Sequence, residues 1–293
     1  MSVLLWLGFA LAALVVVAVG VRAVGAARWA ALVRTHTGLL ESGGMGAQDR
    51  LPARMGFDAD ELEGLPAPVQ RYFRAVLTDG QPIIAAATIQ MTGTINLSPT
   101  TEQWKPFTSR QRVITRRPGF VWDARVGMFP GVPAHVEDSY VAGEGRLIAK
   151  LLGLFTVAES HGDGEIARGE FMRYFAESPW YPTALLPSQG VRWEAVDDDS
   201  ANATLIDGPI VLTLLFRFNA AGLIASVRAE ARGTGLGDDG VMRMLPWDCR
   251  LSDYQPQDGM LIPMAGEAAW VRPEGRRAYF VGHIGTLRYE FLP

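Results

Sequence analysis

Leu212-Thr213-Leu214-Leu215-Phe216-Arg217-Phe218-Asn219-Ala220-Ala221-Gly222-Leu223-Ile224-Ala225-Ser226-Val227-Arg228-Ala229-Glu230-Ala231 sets the fold class by its spacing. Leu212, Leu214, Phe216 and Phe218 alternate with Thr213 and Arg217, and Ala225, Val227, Ala229 and Ala231 alternate with Ser226, Arg228 and Glu230. Successive strand side chains point to opposite faces, so each arm has one apolar and one polar face. Asn219-Ala220-Ala221-Gly222 supplies the turn between them, and the whole reads as a β-hairpin. A sheet with one polar face is antiparallel, because parallel sheets are covered on both sides.

The same period of two recurs outward along the chain. Ile89, Met91, Ile95 and Leu97 alternate with Gln90, Thr92, Thr94 and Asn96; Trp122, Ala124, Val126 and Met128 alternate with Asp123 and Arg125. The chain ends on Leu287, Tyr289 and Phe291 alternating with Arg288 and Glu290. Asp238-Asp239-Gly240 and Gln257-Asp258-Gly259 have the composition of hairpin turns. The expectation is an α+β protein built on one large, curved, half-barrel-like antiparallel sheet with a few packed helices.

Three segments have helical rather than strand spacing. From Pro66 to Leu77, Val69, Tyr72, Phe73, Val76 and Leu77 form one apolar stripe, with Gln70, Arg71 and Arg74 opposite. Glu165 to Ser178 places Ala167, Phe171, Tyr174 and Phe175 on one face and stops at Pro179. Gly145 to Thr156 is expected as a third helix, pairing with the second in the mouth or concave face of the sheet.

Met1 to Val21 contains no charged side chain. About 20 apolar residues in a helix span roughly 30 Å, the hydrocarbon core of a bilayer, so residues 1–21 are expected to be a transmembrane helix. A cleaved signal peptide is the rival. Such peptides carry a basic n-region and a shorter apolar core, and here no Lys or Arg precedes the run. Residues 22–50 read as a juxtamembrane helix, with Trp29 as an interfacial anchor, followed by a linker at Ser42-Gly43-Gly44-Met45-Gly46; residues 51–293 read as a single β-rich domain. Arg22, Arg28 and Arg34 follow the span, so the positive-inside rule favours a single-pass protein of the cell membrane with a cytoplasmic domain. The margin is a few charges, and the side stays open.

A net charge of -4 argues against a dedicated nucleic-acid binder, which carries a basic footprint. The single cysteine, Cys249, excludes an intramolecular disulfide and a cysteine zinc cluster.

Several stretches are familiar. Leu65-Pro66-Ala67-Pro68-Val69-Gln70-Arg71-Tyr72-Phe73, Gly169-Glu170-Phe171-Met172-Arg173-Tyr174-Phe175-Ala176-Glu177 and Trp180-Tyr181-Pro182-Thr183-Ala184-Leu185-Leu186-Pro187 resemble an uncharacterised bacterial family of unknown function. So do Val191-Arg192-Trp193-Glu194-Ala195, Pro246-Trp247-Asp248 and Trp270-Val271. The resemblance covers the chain from Leu65 onward and implies a membrane-anchored domain without supplying chemistry. In its pattern of sheet and helices the domain is also similar to the half-barrels of bacterial lipoprotein carriers. That analogy concerns fold alone.

The candidate ligand-binding residues are Glu170, Arg173, Glu177, Trp180, Tyr181, Trp193 and Trp247. The three charged residues suit a polar rim, and the aromatic ones suit an apolar pocket. Against this stands the ordinary reading: acid–base pairs three and four apart on an exposed helix face contribute only about 0.2–0.5 kcal/mol each. His135, Glu137 and Asp138, with His161 and Asp163, are the metal candidates, but no HExxH-like signature accompanies them and no metal site is expected. No catalytic residue is assigned either. A Gly-x-Ser-x-Gly elbow is absent, Cys249 has no evident His partner, and Arg232-Gly233-Thr234-Gly235-Leu236-Gly237 lacks the helix a phosphate would need. Asp197-Asp198-Asp199 reads as a solvated turn. No cofactor is implied. The partners expected are the membrane and a hydrophobic ligand, a lipid or an acyl chain. An enzyme with an unrecognised acid–base site and an envelope scaffold are the alternatives.

Overall fold

The computed structural model describes residues 2–45, 56–98, 100–236 and 242–293. Helix α1 (Ser2–Met45) is continuous and opens the chain. Ser42, expected in a linker, stays helical, its hydroxyl donating to the Leu39 carbonyl at 3.1 Å. Glu41, one residue earlier, is held by Arg112 at 3.3 Å. The Asp238-Asp239-Gly240 turn and the first residues assigned to the domain, 51–55, lie outside the described residues. Leu5 to Val21 stands clear of the sheet, and the helix is long and apolar enough to cross a membrane.

Thirteen strands form one open, curved, antiparallel sheet. The first six are β1 (Ile84–Asn96), β2 (Trp104–Ile114), β3 (Gly119–Phe129), β4 (Val132–Val141), β5 (Glu144–Leu151) and β6 (Phe155–Gly162). The other seven are β7 (Arg192–Asp197), β8 (Ser200–Asp207), β9 (Ile210–Phe218), β10 (Ile224–Leu236), β11 (Met242–Gln257), β12 (Met260–Arg272) and β13 (Gly275–Phe291). Each set is a meander. The two join where β1 pairs with β13, leaving β6 and β7 as the edges. The curl brings the flanks together, so that the Tyr140 hydroxyl on β4 donates to Asp207 of β8 at 2.7 Å. The hairpin from 212 to 231 forms as its alternation requires, with Phe216 opposite Val227. At the β11–β12 turn Asp258 (φ 49°) and Gly259 (φ 80°) adopt the left-handed conformations that a two-residue hairpin turn demands.

The expected helix at 145–156 is instead β5 and the start of β6. Gly145 faces α3 (Glu165–Ala176), whereas Arg146 and Ile148 face α1. A strand covered on both sides loses its period of two, and Leu147, Ile148, Leu151 and Leu152 then mimic helical spacing. Leu152 (φ 53°) and Gly153 (φ 72°) make the turn between β5 and β6.

In the concave face α3 therefore lacks the helical partner expected at 145–156. After α3 come three short 3-10 turns, Ser178–Trp180, Pro182–Leu185 and Pro187–Gln189, which together with α2 (Ala67–Val76) fill part of the concavity. Phe171 stacks on Tyr140 with ring centroids 5.0 Å apart, and Trp193 meets Phe216 edge-on at 5.1 Å. The upper part of α1 lies on the opposite, convex face. There the Trp29 indole donates to Asp123 at 2.8 Å, and His36 meets Glu137 at 2.6 Å.

Candidate functional site

The charged side of α3 is turned inward. Glu170 is buried, and the side chains of Arg173 and Glu177 are only 12 and 13% exposed, which excludes the solvated-face reading of this trio. Arg173 donates through Nη1 to Asp138 on β4 at 2.7 Å and through Nε to Glu177 at 2.8 Å. Gln111 on β2 donates to the other oxygen of Glu177 at 2.6 Å. The guanidinium carbon lies 4.7 Å from the Trp122 ring centre and 5.0 Å from that of Phe120. Desolvated cations gain about 2 kcal/mol or more over such ring faces.

A second arginine enters from across the sheet. The β10–β11 register shifts between Ala229 and Arg232, and the bulge turns Arg232 inward, where continued alternation would have pointed it out. Its guanidinium lies 4.4 Å from the Trp247 ring centre and 3.7 Å from a Glu170 carboxyl oxygen. The Trp247 indole donates to the Tyr279 hydroxyl at 2.9 Å. Burial, reinforced by the neighbouring charge of Asp138, pushes the Glu170 carboxyl up to about 8. Burial likewise raises Asp138, and Arg173 opposes that rise. Glu170 is thus a neutral acid at neutral pH. Arg173 faces Asp138 and Glu177, and Arg232 faces Glu170.

Beside this cluster is a cavity of about 90 Å³. Trp122, Trp180, Trp247, Leu251 and Phe280 give it apolar walls, and Arg173 with Glu177 forms its polar side. Trp180 seats its ring edge against Gly266, where a Cβ would lie 3.0 Å from Cζ2. Cys249 also borders the cavity, its thiol pushed up by burial and so unsuited to act as a nucleophile. A larger groove of about 760 Å³ at the β2–β3, β4–β5 and β8–β9 turns is bordered by Arg116, Arg117 and Gln189, and has no comparable set of converging rings.

Of the seven candidates, Arg173, Glu177, Trp180 and Trp247 line the cavity. Glu170 lies behind it, against Arg232. Tyr181 packs on Tyr174 and donates to its carbonyl at 2.5 Å, and Trp193 donates to the Leu185 carbonyl at 3.0 Å within a separate ring cluster. Sequence reading missed Gln111, Arg232, Tyr279 and Phe280. Only Phe280, within a strand-like run, offered any signal. His135 and Glu137 face α1 while Asp138 faces the cavity, and among the described residues no three His, Cys, Asp or Glu side chains gather into a metal-binding group.

A family model, "Family of unknown function (DUF6920)", matches residues 63–289, a span that contains the motifs at 65–73, 169–187 and 246–248. Among solved structures, a LolA superfamily protein from Nitrosomonas europaea aligns at 11% identity and TM-score 0.37, over 72% of this chain and 88% of its own. A beta-barrel-like protein of the unknown-function domain DUF1849 from Brucella abortus aligns at 11% identity and TM-score 0.27, over 74% of this chain and 100% of its own. Comparison with curated proteins gives no match.

Proposed function

The chain belongs to the family of unknown function DUF6920, and we propose that this member is a membrane-anchored protein that binds an amphiphilic, hydrophobic ligand on the concave face of its sheet. The observation that carries the reading is the cavity itself: five aromatic or aliphatic walls converge on two arginines fixed in place by buried carboxylates. Mostly apolar concavities with a few fixed polar groups are the ordinary form of small-molecule sites. An acyl chain suits the rings, and a polar head suits the arginine side. A dry cavity of roughly 150 Å³ takes one benzene, so about 90 Å³ admits a chain end only, and fuller entry requires the Trp180 or Phe280 ring to swing aside. The apolar stretch of α1 supports a single-pass anchor, and its flanking arginines favour the cytoplasmic side.

The acid–base alternative gains less support. Glu170 has a raised pKa but lies behind the cavity wall, and both oxygens of Glu177 are engaged by Arg173 and Gln111. A scaffold reading has one specific observation in its favour: β6 is a bare edge strand, exposed from Phe155 to His161, and open edges recruit partner strands.

The test is purification of the full-length protein in mild detergent, followed by mass spectrometry of co-eluting lipid and titration with a fluorescent fatty acid. Stoichiometric lipid, or saturable binding weakened by Trp247→Ala, supports ligand binding. An empty protein that takes up no fatty acid refutes it.

A further inference from the structure

The uncovered end of the concave face and the exit of the apolar helix lie at the same level. The uncharged run of α1 ends at Val21, and the next residue, Arg22, donates to the Gly131 carbonyl in the β3–β4 turn at 2.6 Å. One helical turn later, Gly25 meets the β5–β6 turn so closely that a Cβ would lie 1.9 Å from the Leu152 carbonyl oxygen. No side chain comes within 4 Å of the space a Cβ would fill at Gly8 or Gly20. The hairpin tips at 129–132 and 151–155 thus sit where the apolar span ends.

Those tips carry large apolar side chains facing solvent. Phe129 is 67% exposed and Phe155 63%, and Leu97, just past the end of β1 and bonded to Gln103 before β2, is 43% exposed. At the opposite end of these strands the turns 115–118 and 142–143 carry none of the exposed large apolar residues, and the two near them, Ile206 (47%) and Val211 (51%), flank the β8–β9 turn on the other flank of the sheet. Lys105 holds its ammonium 5.9 Å from the Phe129 ring centre, the posture of a side chain that keeps its charge in the headgroup layer above a buried ring.

Part of the cavity lining belongs to the rim's half of the sheet. Thr183 of the 3-10 layer binds the Ile84 amide at one end of β1, and Tyr289 near the end of β13 donates to the Trp180 carbonyl, so the helical layer fills that half of the concave face. Ile95, Tyr279 and Phe280, which border the cavity, belong to the other half, and among the described residues no helix covers it there.

We propose that the rim of Leu97, Phe129 and Phe155 enters the bilayer interface beside the span, so that the mouth of the cavity faces lipid and the hydrophobic ligand passes between bilayer and cavity without crossing water. The proposal rests on the membrane-anchored ligand-binding reading above and adds the surface, its partner and the route. Aromatic side chains at headgroup depth are a recurring anchoring device, and two separated rings beside a spanning helix fix the tilt of the domain as well as its height.

The experiment uses the full-length protein carrying Phe129→Cys, Phe155→Cys or, at a distant turn, Ala221→Cys. Each is labelled with an environment-sensitive fluorophore and reconstituted into phosphatidylcholine vesicles containing a lipid spin-labelled near the headgroup. Buried Cys249 reacts little, and the unsubstituted protein measures that background. Labels at 129 and 155 are expected to lose about half or more of their fluorescence to the spin label, and the label at 221 almost none. Equal quenching at all three positions overturns the rim. Vesicle flotation separates the remaining cases: protein that fails to float refutes the anchor and the rim together. Quenched rim labels on a protein that yields no bound lipid support the rim and refute ligand binding. Bound lipid with unquenched rim labels refutes the rim alone.

Discussion

Replacing Glu170 by glutamine tests how the concave face keeps its charges. Burial, with Asp138 beside it, displaces the Glu170 carboxyl from its ordinary 4.5 to about 8. A raised carboxyl pKa makes the folded state hold a proton that the unfolded chain has already released. Its contribution to stability is therefore complete below about pH 4.5, declines as pH rises, and is gone above about pH 8. At about 1.4 kcal/mol per pH unit, the displacement sets a ceiling near 5 kcal/mol. Arg232, with its guanidinium nitrogen 3.7 Å from the carboxyl, can close in on the ionised form, and the expected loss is about 2–3 kcal/mol. Glutamine is close in shape to the neutral acid and does not titrate. Urea unfolding of the full-length protein in detergent, followed by tryptophan fluorescence between pH 5 and 9, is the assay. Glu170→Gln should match the parent within about 1 kcal/mol at pH 5 and exceed it by about 2–3 kcal/mol at pH 9. Parallel pH profiles for the two proteins, or a variant less stable at pH 9, would refute a neutral Glu170.

Arg173→Met strands Asp138 and Glu177 in the interior without their shared cation, and should cost about 3–5 kcal/mol; urea midpoints should show a larger loss at pH 8 than at pH 5, because burial raises the Asp138 carboxyl and favours its protonated form at the lower pH. Gly145→Ala would put a Cβ 2.6 Å from the backbone of Ala167, so α3 must move off the sheet; a fall in Tm corresponding to about 1–3 kcal/mol is expected, and an unchanged Tm would mean that the helix does not pack there. His36→Ala removes the partner of Glu137, a fully buried carboxyl; hydrogen exchange along Trp29 to Leu40 should accelerate while the amides of α3 keep their protection.

The antiparallel sheet was legible because its strands keep one polar face. The alternations at 89–97, 122–128, 212–231 and 287–291 became strands in their expected phase except at two ends, where Asn96 turns in and Leu97 out past the end of β1, and where the β10 bulge turns Ala231 out. Period alone failed at Gly145 to Leu151, where α3 covers one face and α1 the other. The site was half legible. Glu170, Arg173 and Glu177 stood out as a charged set, but residues three and four apart share a face whether that face meets water or protein. Their burial depends on Asp138, Gln111 and Arg232, whose bonded partners in the trio lie 35 to 66 positions away in the chain and converge only in the folded sheet. Arg232 was hidden further by its bulge, since a single inserted residue reverses the face that alternation assigns.

A polar face also proved different from a solvated one, and this governs what the domain can do. The convex side carries Asp123, His135, Glu137 and Arg146, the pattern expected of a surface open to water. It is occupied instead by α1. Trp29 donates to Asp123 and contacts the His135 ring at 5.4 Å, while His36 lies between Glu137 and Arg146. Burial raises Asp123, an effect opposed by the Trp29 bond, and lowers His135. A helix held by directional bonds, with Gly25 and Gly153 meeting backbone to backbone, cannot slide along the sheet as a chain tethered by a flexible linker could. The span and the sheet consequently move as one body. Under the anchoring proposed above, whatever depth the bilayer imposes on Leu5 to Val21 is imposed equally on Phe129 and Phe155, and the proposed mouth of the cavity would keep a fixed height above the lipid instead of sampling solution.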